Sequence, residues 1–261
     1  MVNSQVPYVF KILIYPIKSL DATNCDRVTV LESGALKGDR TWAIFDRSGN
    51  FVNGKRNAKV HSLRSQFDLE TNNLSLQTRG QTVKFNLVIE QEALCNWLED
   101  YFGFPVEIKQ NIDMGFPDDT VSPGATIVST ATLEAIASWY PELTTEDVRR
   151  RFRSNIEIGG VPAFWEDKLF TKGQTVFKVG NVEFMGVNPC QRCVVVTRDP
   201  QTGQPYPKFQ KTFIQQRKNT LPEWTERSLF NHYFRLAVNT RLSPSEAGKT
   251  IAVGDKIHIC S

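Results

Sequence analysis

Histidine is scarce in this sequence: His61, His232 and His258 are the only three among 261 residues. Cysteine is hardly commoner, with Cys25, Cys95, Cys190, Cys193 and Cys260 making five. A closed zinc site takes four Cys or His ligands, usually as two close pairs, and here only Cys190 and Cys193 lie close together. An odd number of unevenly spaced cysteines in a long chain also argues against a disulfide framework. No apolar run reaches about 18 residues, so a membrane span is not expected. The start, from Met1 to Pro7, has no basic region followed by an apolar run. That argues against an export signal and favours the cytoplasm. No glycine-rich phosphate loop of the nucleotide-binding type occurs. The net charge of +3, from 31 basic and 28 acidic residues, is too mild to point to nucleic acid.

The composition that remains is that of an ordinary globular protein, 40% hydrophobic and 23% charged. The length allows one large domain or two modest ones. Short strand patterns dominate: residues 9–14, 27–31, 39–45, 63–69, 73–77, 82–87, 106–109, 125–128, 155–158, 174–179, 182–185, 194–197, 229–238 and 256–260. Gly180-Asn181 marks a tight hairpin between two of them. Leu94, Trp97, Leu98 and Tyr101 recur at helical spacing within residues 90–102, with Gly103 as the cap. Ser129-Thr130 can cap a helix reaching about residue 140. Thr144-Thr145-Glu146-Asp147 opens another in a capping-box-like manner. Residues 111–124 carry Gly, Pro, Asp and Ser with little periodicity, as a linker or mobile loop does. The expected class is α+β and β-rich: two β-barrel-like lobes with a few short helices, divided as residues 1–115 and 116–261.

One segment narrows the function more than the rest. It runs Val-Asn-Pro-Cys-Gln-Arg-Cys-Val-Val-Val-Thr-Arg-Asp-Pro-Gln-Thr-Gly from Val187 to Gly203. Cys190-Gln191-Arg192-Cys193 fits half a zinc site, a dithiol redox pair or two packed cysteines. A redox pair normally opens a helix, whose N-terminus lowers a thiol pKa, and the β-branched residues that follow favour a strand. Basic residues stand at strand ends elsewhere: Lys18, Arg40, Lys55, Arg56, the run Arg149, Arg150, Arg151 and Arg153, and Arg192. Singly, each reads as a surface charge, and the arginine run suits the C-terminal turn of a helix. Together, with Ser19, Thr41, Ser129 and Thr130 adjoining, they suggest an anionic ligand, for which the arginine fork suits phosphate. Glu166 and Asp167 are expected to be ordinary surface charge.

Several of these pieces, taken in order, resemble the molybdenum cofactor sulfurase C-terminal domain superfamily with the β-barrel domain that precedes it. The likeness is strongest to the branch of mitochondrial amidoxime-reducing components and their bacterial relatives. It is carried by Tyr15-Pro16-Ile17-Lys18-Ser19, by Gly38-Asp39-Arg40-Thr41-Trp42, by Phe152-Arg153-Ser154-Asn155-Ile156 (with serine where proline is usual), and by Cys190 to Cys193 with Asp199-Pro200-Gln201-Thr202-Gly203. The resemblance implies a molybdenum cofactor, a molybdopterin dithiolene bearing a phosphate. Cys193 is then the catalytic protein ligand to molybdenum, a soft thiolate for a sulfur-held metal, and Arg192 helps to keep it ionised. Lys18, Ser19, Arg40, Arg153 and Asn155 match positions that bind the phosphate and pterin, and Ser129 and Thr130 fall near another such loop. Relatives reduce small N-hydroxylated compounds, amidoximes and N-hydroxylated bases, at an oxo-molybdenum centre. No four-cysteine cluster is left for an appended iron–sulfur domain, so electrons are expected from a separate protein of iron–sulfur or haem type. Within the superfamily the sulfurases provide the alternative, a module that binds or carries the cofactor or transfers sulfur without catalysing reduction.

Overall fold

The computed structural model describes residues 6–260, so the first five residues, part of the stretch searched for an export signal, and Ser261 lie outside it. From the N-terminus the chain forms β1 (Tyr8–Ile14), β2 (Thr23–Cys25), β3 (Arg27–Thr29), β4 (Trp42–Asp46), a single turn α1 (Lys59–Ser62), β5 (Arg64–Phe67), β6 (Asn73–Thr78), β7 (Gln81–Asn86), α2 (Gln91–Phe102) and β8 (Val106–Gln110). It continues through β9 (Ile127–Ser129), α3 (Thr130–Ala137), α4 (Thr145–Phe152), β10 (Ile156–Gly159), β11 (Thr175–Val179), β12 (Val182–Gln191), α5 (Phe209–Asn219), β13 (Arg235–Arg241), β14 (Thr250–Ala252) and β15 (Ile257–Ile259).

Local chemistry sets most boundaries. In α2, Leu94, Leu98 and Phe102 are buried four residues apart, which makes one apolar stripe. Gly103 ends it in the left-handed region, its N–H donating to Glu99 O at 2.7 Å. Ser129 caps α3 by accepting from Thr132 N, and Thr144 with Asp147 forms the full capping box of α4. Gly180, at φ 59, takes the first central place of the two-residue turn between β11 and β12.

An eight-stranded sheet in the order β15-β11-β12-β13-β9-β10-β1-β2 is the frame. β9 and β10 are parallel, and α3 and α4 form the crossover that a parallel pair requires. The start of β1 also meets the segment before β15: Val9 N donates to Asp255 O and Ile257 N to Pro7 O, both at 2.9 Å. The two ends of the sheet therefore approach each other, but no closed barrel forms among the described residues. The α+β, β-rich class is as expected, built from several sheets with β5-β6-β7, β4-β8 and β3-β14 beside the large one, and it is the closure into barrels that the described residues do not show. Three cores hold it. One lines the large sheet (Val9, Ile12, Phe177, Phe184), one lies under α2 (Leu63, Leu76, Leu94, Leu98), and one packs α3, α4 and α5 together (Leu133, Phe152, Phe209, Phe213).

Some expectations fail for identifiable reasons. Residues 194–197 form a 3-10 turn, Val194–Thr197, not a strand. The Thr197 hydroxyl bonds back to Val194 O at 2.7 Å, and Arg151 donates to Val196 O and Arg198 O. These bonds outweigh the β-branched preference. Across residues 229–238 the strand begins only at Arg235, after a 3-10 turn at Arg227–Leu229. Glu166 and Asp167 are not surface charges; they are 1% and 3% exposed. Asp167 receives both bonds of an ion pair from buried Arg217, at 2.8 and 2.6 Å, and a third from Thr225 Oγ1 at 2.7 Å. No helix of the described residues is long and apolar enough to cross a membrane.

Candidate functional site

Tyr15 is the platform of the site. Pro16 follows β1, and the Tyr15 ring lies buried there at 3% exposure. The Arg153 guanidinium stacks on that ring, 4.1 Å from its centroid, and that of Arg40 lies 5.3 Å away. The turn carrying Arg40 is sewn to the end of β1: Arg40 N donates to Tyr15 O at 2.7 Å, and Asp39 Oδ1 accepts from Tyr15 N at 2.9 Å. Asp39 Oδ2 pairs with Arg40 Nη1. Lys18, 8% exposed, places Nζ 4.7 Å above the Phe51 ring and bonds Phe116 O and Asp118. Burial lowers its pKa; Asp118 pulls the other way, while Arg40 and Arg153 add to the fall.

Three of the seven described non-glycine residues with positive φ fall here, the others being Asn72, Phe164, Lys208 and Ala237. Ser19, Arg40 and Arg153 all have positive φ, at 75°, 50° and 53°. A non-glycine residue in this region costs about 1–2 kcal/mol, and such strain concentrates at functional sites. Arg153 caps α4 there, its N–H donating to Arg149 O, where glycine is the cheaper choice.

The arginine run has divided fates. Arg149 is held by Glu157 and Glu146, Arg150 by Glu146, and buried Arg151 by the carbonyls of Val196 and Arg198. Arg153 alone of the four makes no side-chain hydrogen bond to any described residue. Burial lowers its pKa, offset by Tyr15 and reinforced by Arg40. Next to it, Ser154 Oγ is buried without a partner, and the Ser19 hydroxyl makes no hydrogen bond to the described residues.

β12 carries the cysteine segment to this place. Its register with β13 shifts at Gly186/Asn188 and again at Pro189/Gln191, and such irregularities re-aim side chains. Cys193 emerges exposed at the head of the 3-10 turn, whereas Cys190 is half-buried. The Arg192 side chain makes its hydrogen bonds away from the Cys193 thiol. Its Nη1 donates to Cys190 Sγ at 3.2 Å and its Nη2 to Phe152 O, with the guanidinium 5.2 Å from the Phe152 ring. It is a brace tying the cysteine turn to the residue before Arg153.

The other predicted binding residues are committed to the framework. The Asn155 amide accepts from Thr126 N and Oγ1 and donates to Leu13 O, which locks β1 to the chain entering β9. Ser129 Oγ serves the cap of α3, and Thr130 Oγ1 donates to Glu157 Oε2 at 3.4 Å. The structure thus sets Arg40 and Arg153 against Tyr15, with Lys18 near both arginines, and joins them through Arg192 to the turn of Cys193. Sequence reasoning did not single out Tyr15, Asp39 and Asp118, which the structure places in contact with these cations. Asp39 was visible beside Arg40, but the Lys18–Asp118 contact spans 100 positions and leaves no local signal. Among the described residues no three His, Cys, Asp or Glu side chains converge as metal ligands.

Residues 6–102 match the family model described as the MOSC N-terminal beta barrel domain, and residues 124–258 match the MOSC domain. This chain belongs to the MOSC domain family. It is 24% identical to human mitochondrial amidoxime-reducing component 1 over 98% of this chain and 83% of that one. It is 26% identical to bovine mitochondrial amidoxime reducing component 2 over 76% of this chain and 68% of that one. It is also 24% identical to human molybdenum cofactor sulfurase over 75% of this chain, but the match spans only 27% of the sulfurase.

Proposed function

We propose that this MOSC protein is a molybdenum cofactor-dependent reductase of small N-hydroxylated compounds, supplied with electrons by a separate iron–sulfur or haem protein. The observation that carries the reading is the unpartnered Arg153 guanidinium, stacked on Tyr15 beside Arg40 and Lys18 and braced to the turn that exposes Cys193. A guanidinium left without an acceptor next to two further cations fits a phosphate. The orphaned Ser154 Oγ and unbonded Ser19 hydroxyl fit a ligand with many polar atoms. An exposed thiol without a hydrogen-bond partner fits a soft metal.

In this reading Lys18, Arg40 and Arg153 hold the phosphate of the cofactor, with Ser19 adjoining. Cys193 ligates the metal, Arg192 fixes the relation between the two halves of the site, and Asn155, Ser129 and Thr130 support them from the framework. When bound, the cofactor supplies the two-electron, two-proton removal of oxygen from an N-hydroxyl group, which yields the reduced nitrogen and water. Relationship to the two amidoxime-reducing components supports this activity. Relationship to the sulfurase supports the second reading, a module that carries the cofactor or transfers sulfur.

Reduction of a benzamidoxime by protein purified from a host that makes the cofactor, with a chemical reductant, separates the two. The reductase reading expects turnover that Cys193→Ala abolishes. Bound cofactor without turnover favours the carrier, and unchanged turnover by Cys193→Ala removes the proposed ligand.

A further inference from the structure

The two family matches leave residues 103–123 unassigned between them. Part of that stretch, expected to be a linker or mobile loop, is pinned onto the cation site. Gly115, at φ 70°, lies so close to the Arg40 turn that a Cβ on it would stand 2.4 Å from Asp39 O and 2.9 Å from Arg40 O. Phe116 N donates to Arg40 O at 2.8 Å. From that anchor two acceptors reach Lys18: Phe116 O at 2.8 Å and Asp118 Oδ1 at 2.5 Å. The Asp118 side chain is otherwise 91% exposed, whereas that of Lys18 is 9% exposed.

An ammonium group has three N–H donors, and these contacts use two. We infer that Asp118 is a positioning residue of the anion site, which keeps Lys18 protonated and directs its third N–H to the bound phosphate. The inference rests on the reading of Lys18, Arg40 and Arg153 as that phosphate site.

The charges around Lys18 make the need for Asp118 explicit. Arg40 faces it from the turn after β1, Arg153 from the end of α4, and Tyr15 offers only a neutral phenol, its pKa raised to about 12 chiefly by burial. Asp39 is occupied by Arg40 and by Tyr15 N. The Phe51 ring covers the ammonium on another side. Among the described residues Asp118 is therefore the one carboxylate that bonds Lys18. A buried lysine beside two arginines releases its proton readily, because burial and like charge both disfavour the cation. Arginine holds its proton under the same conditions.

Titration of the cofactor-free full-length protein with inorganic sulfate tests this, since sulfate remains a dianion over the range used. Binding is measured calorimetrically at low salt from pH 6 to pH 8. Asp118→Asn keeps the shape and an acceptor oxygen but removes the charge. It is expected to bind sulfate about tenfold more weakly than the parent at pH 8 and much more nearly equally at pH 6. Lys18→Arg added to Asp118→Asn is expected to restore a pH-independent affinity, which a merely structural role of Asp118 would not produce. Equal or tighter binding by Asp118→Asn at every pH overturns the inference, because Asp118 is then a bystander or an internal competitor for the site. A parent that does not bind sulfate, or an Arg153→Ala variant that binds like the parent, removes the phosphate site itself and this inference with it.

Discussion

Replacing Glu166 by glutamine tests how the structure handles a carboxyl group that no base neutralises. Glu166 is 1% exposed. Its Oε2 accepts from Thr132 Oγ1 at 3.0 Å, and its Oε1 is buried without a partner. The neighbouring Arg217 is spent on Asp167. Burial, followed by the charge of Asp167, raises the Glu166 pKa from an ordinary 4.5 to about 7. The folded state thus binds this proton more tightly than the unfolded chain. The corresponding stability is fully present below pH 4.5 and is lost as pH rises to about 7. At about 1.4 kcal/mol per pH unit the loss is on the order of 3 kcal/mol. His61 works in the opposite direction, because burial lowers its pKa, so the parent alone is not diagnostic. The difference between parent and Glu166→Gln isolates the group. Urea unfolding at half-unit steps from pH 4.5 to pH 8 is expected to show the variant gaining on the parent by up to about 3 kcal/mol, with the gain levelling off above pH 7. Parallel stability curves, or a gain that grows toward low pH, would refute the reasoning.

Other consequences are open to direct measurement. Arg217→Ala leaves Asp167 charged and unpaired in the interior and should cost about 3–5 kcal/mol in chemical unfolding; replacing both by apolar residues of similar size should cost much less. Ser154→Ala removes a buried hydroxyl that has no partner and should raise stability by about 1 kcal/mol, seen as a higher melting temperature. Metal analysis should find Cys190→Ser still loaded with molybdenum and Cys193→Ser depleted, because Cys190 is half-buried against Arg192 while Cys193 is free. Arg192→Ala cuts the bond to Phe152 O and should lower the molybdenum content of the purified protein even though Arg192 makes no bond to Cys193.

The parts of this structure that were legible in the sequence are those decided by neighbours. The capping box at Thr144, the cap at Ser129, the Gly103 stop and the Gly180 hairpin each need only a few adjacent residues. The family resemblance was legible too, because its motifs are short and ordered. What escaped was settled at a distance. α5 turns Phe209, Phe213 and Arg217 inward, and the arginine breaks the apolar stripe by which a helix is recognised. Its partner Asp167 lies 50 positions away and for that reason resembled a surface charge. The turn after Cys193 has β-branched residues that favour a strand, and besides the short-range Thr197 bond it is distant Arg151, buried from α4, that keeps it from forming one. Asp118 is invisible as a site residue until the chain between the matched regions is seen lying against the Arg40 turn.

In the proposed function one chain holds one molybdenum cofactor between the Tyr15 cation cluster and the Cys193 sulfur. The molybdenum-to-protein ratio of the purified full-length chain, made in a host that synthesises the cofactor, tests it most directly. A ratio near one, falling sharply in Cys193→Ala and in Arg153→Ala, is the predicted result. Protein that is folded and free of molybdenum under those conditions, or a ratio that neither substitution changes, would mean that this site does not hold the cofactor.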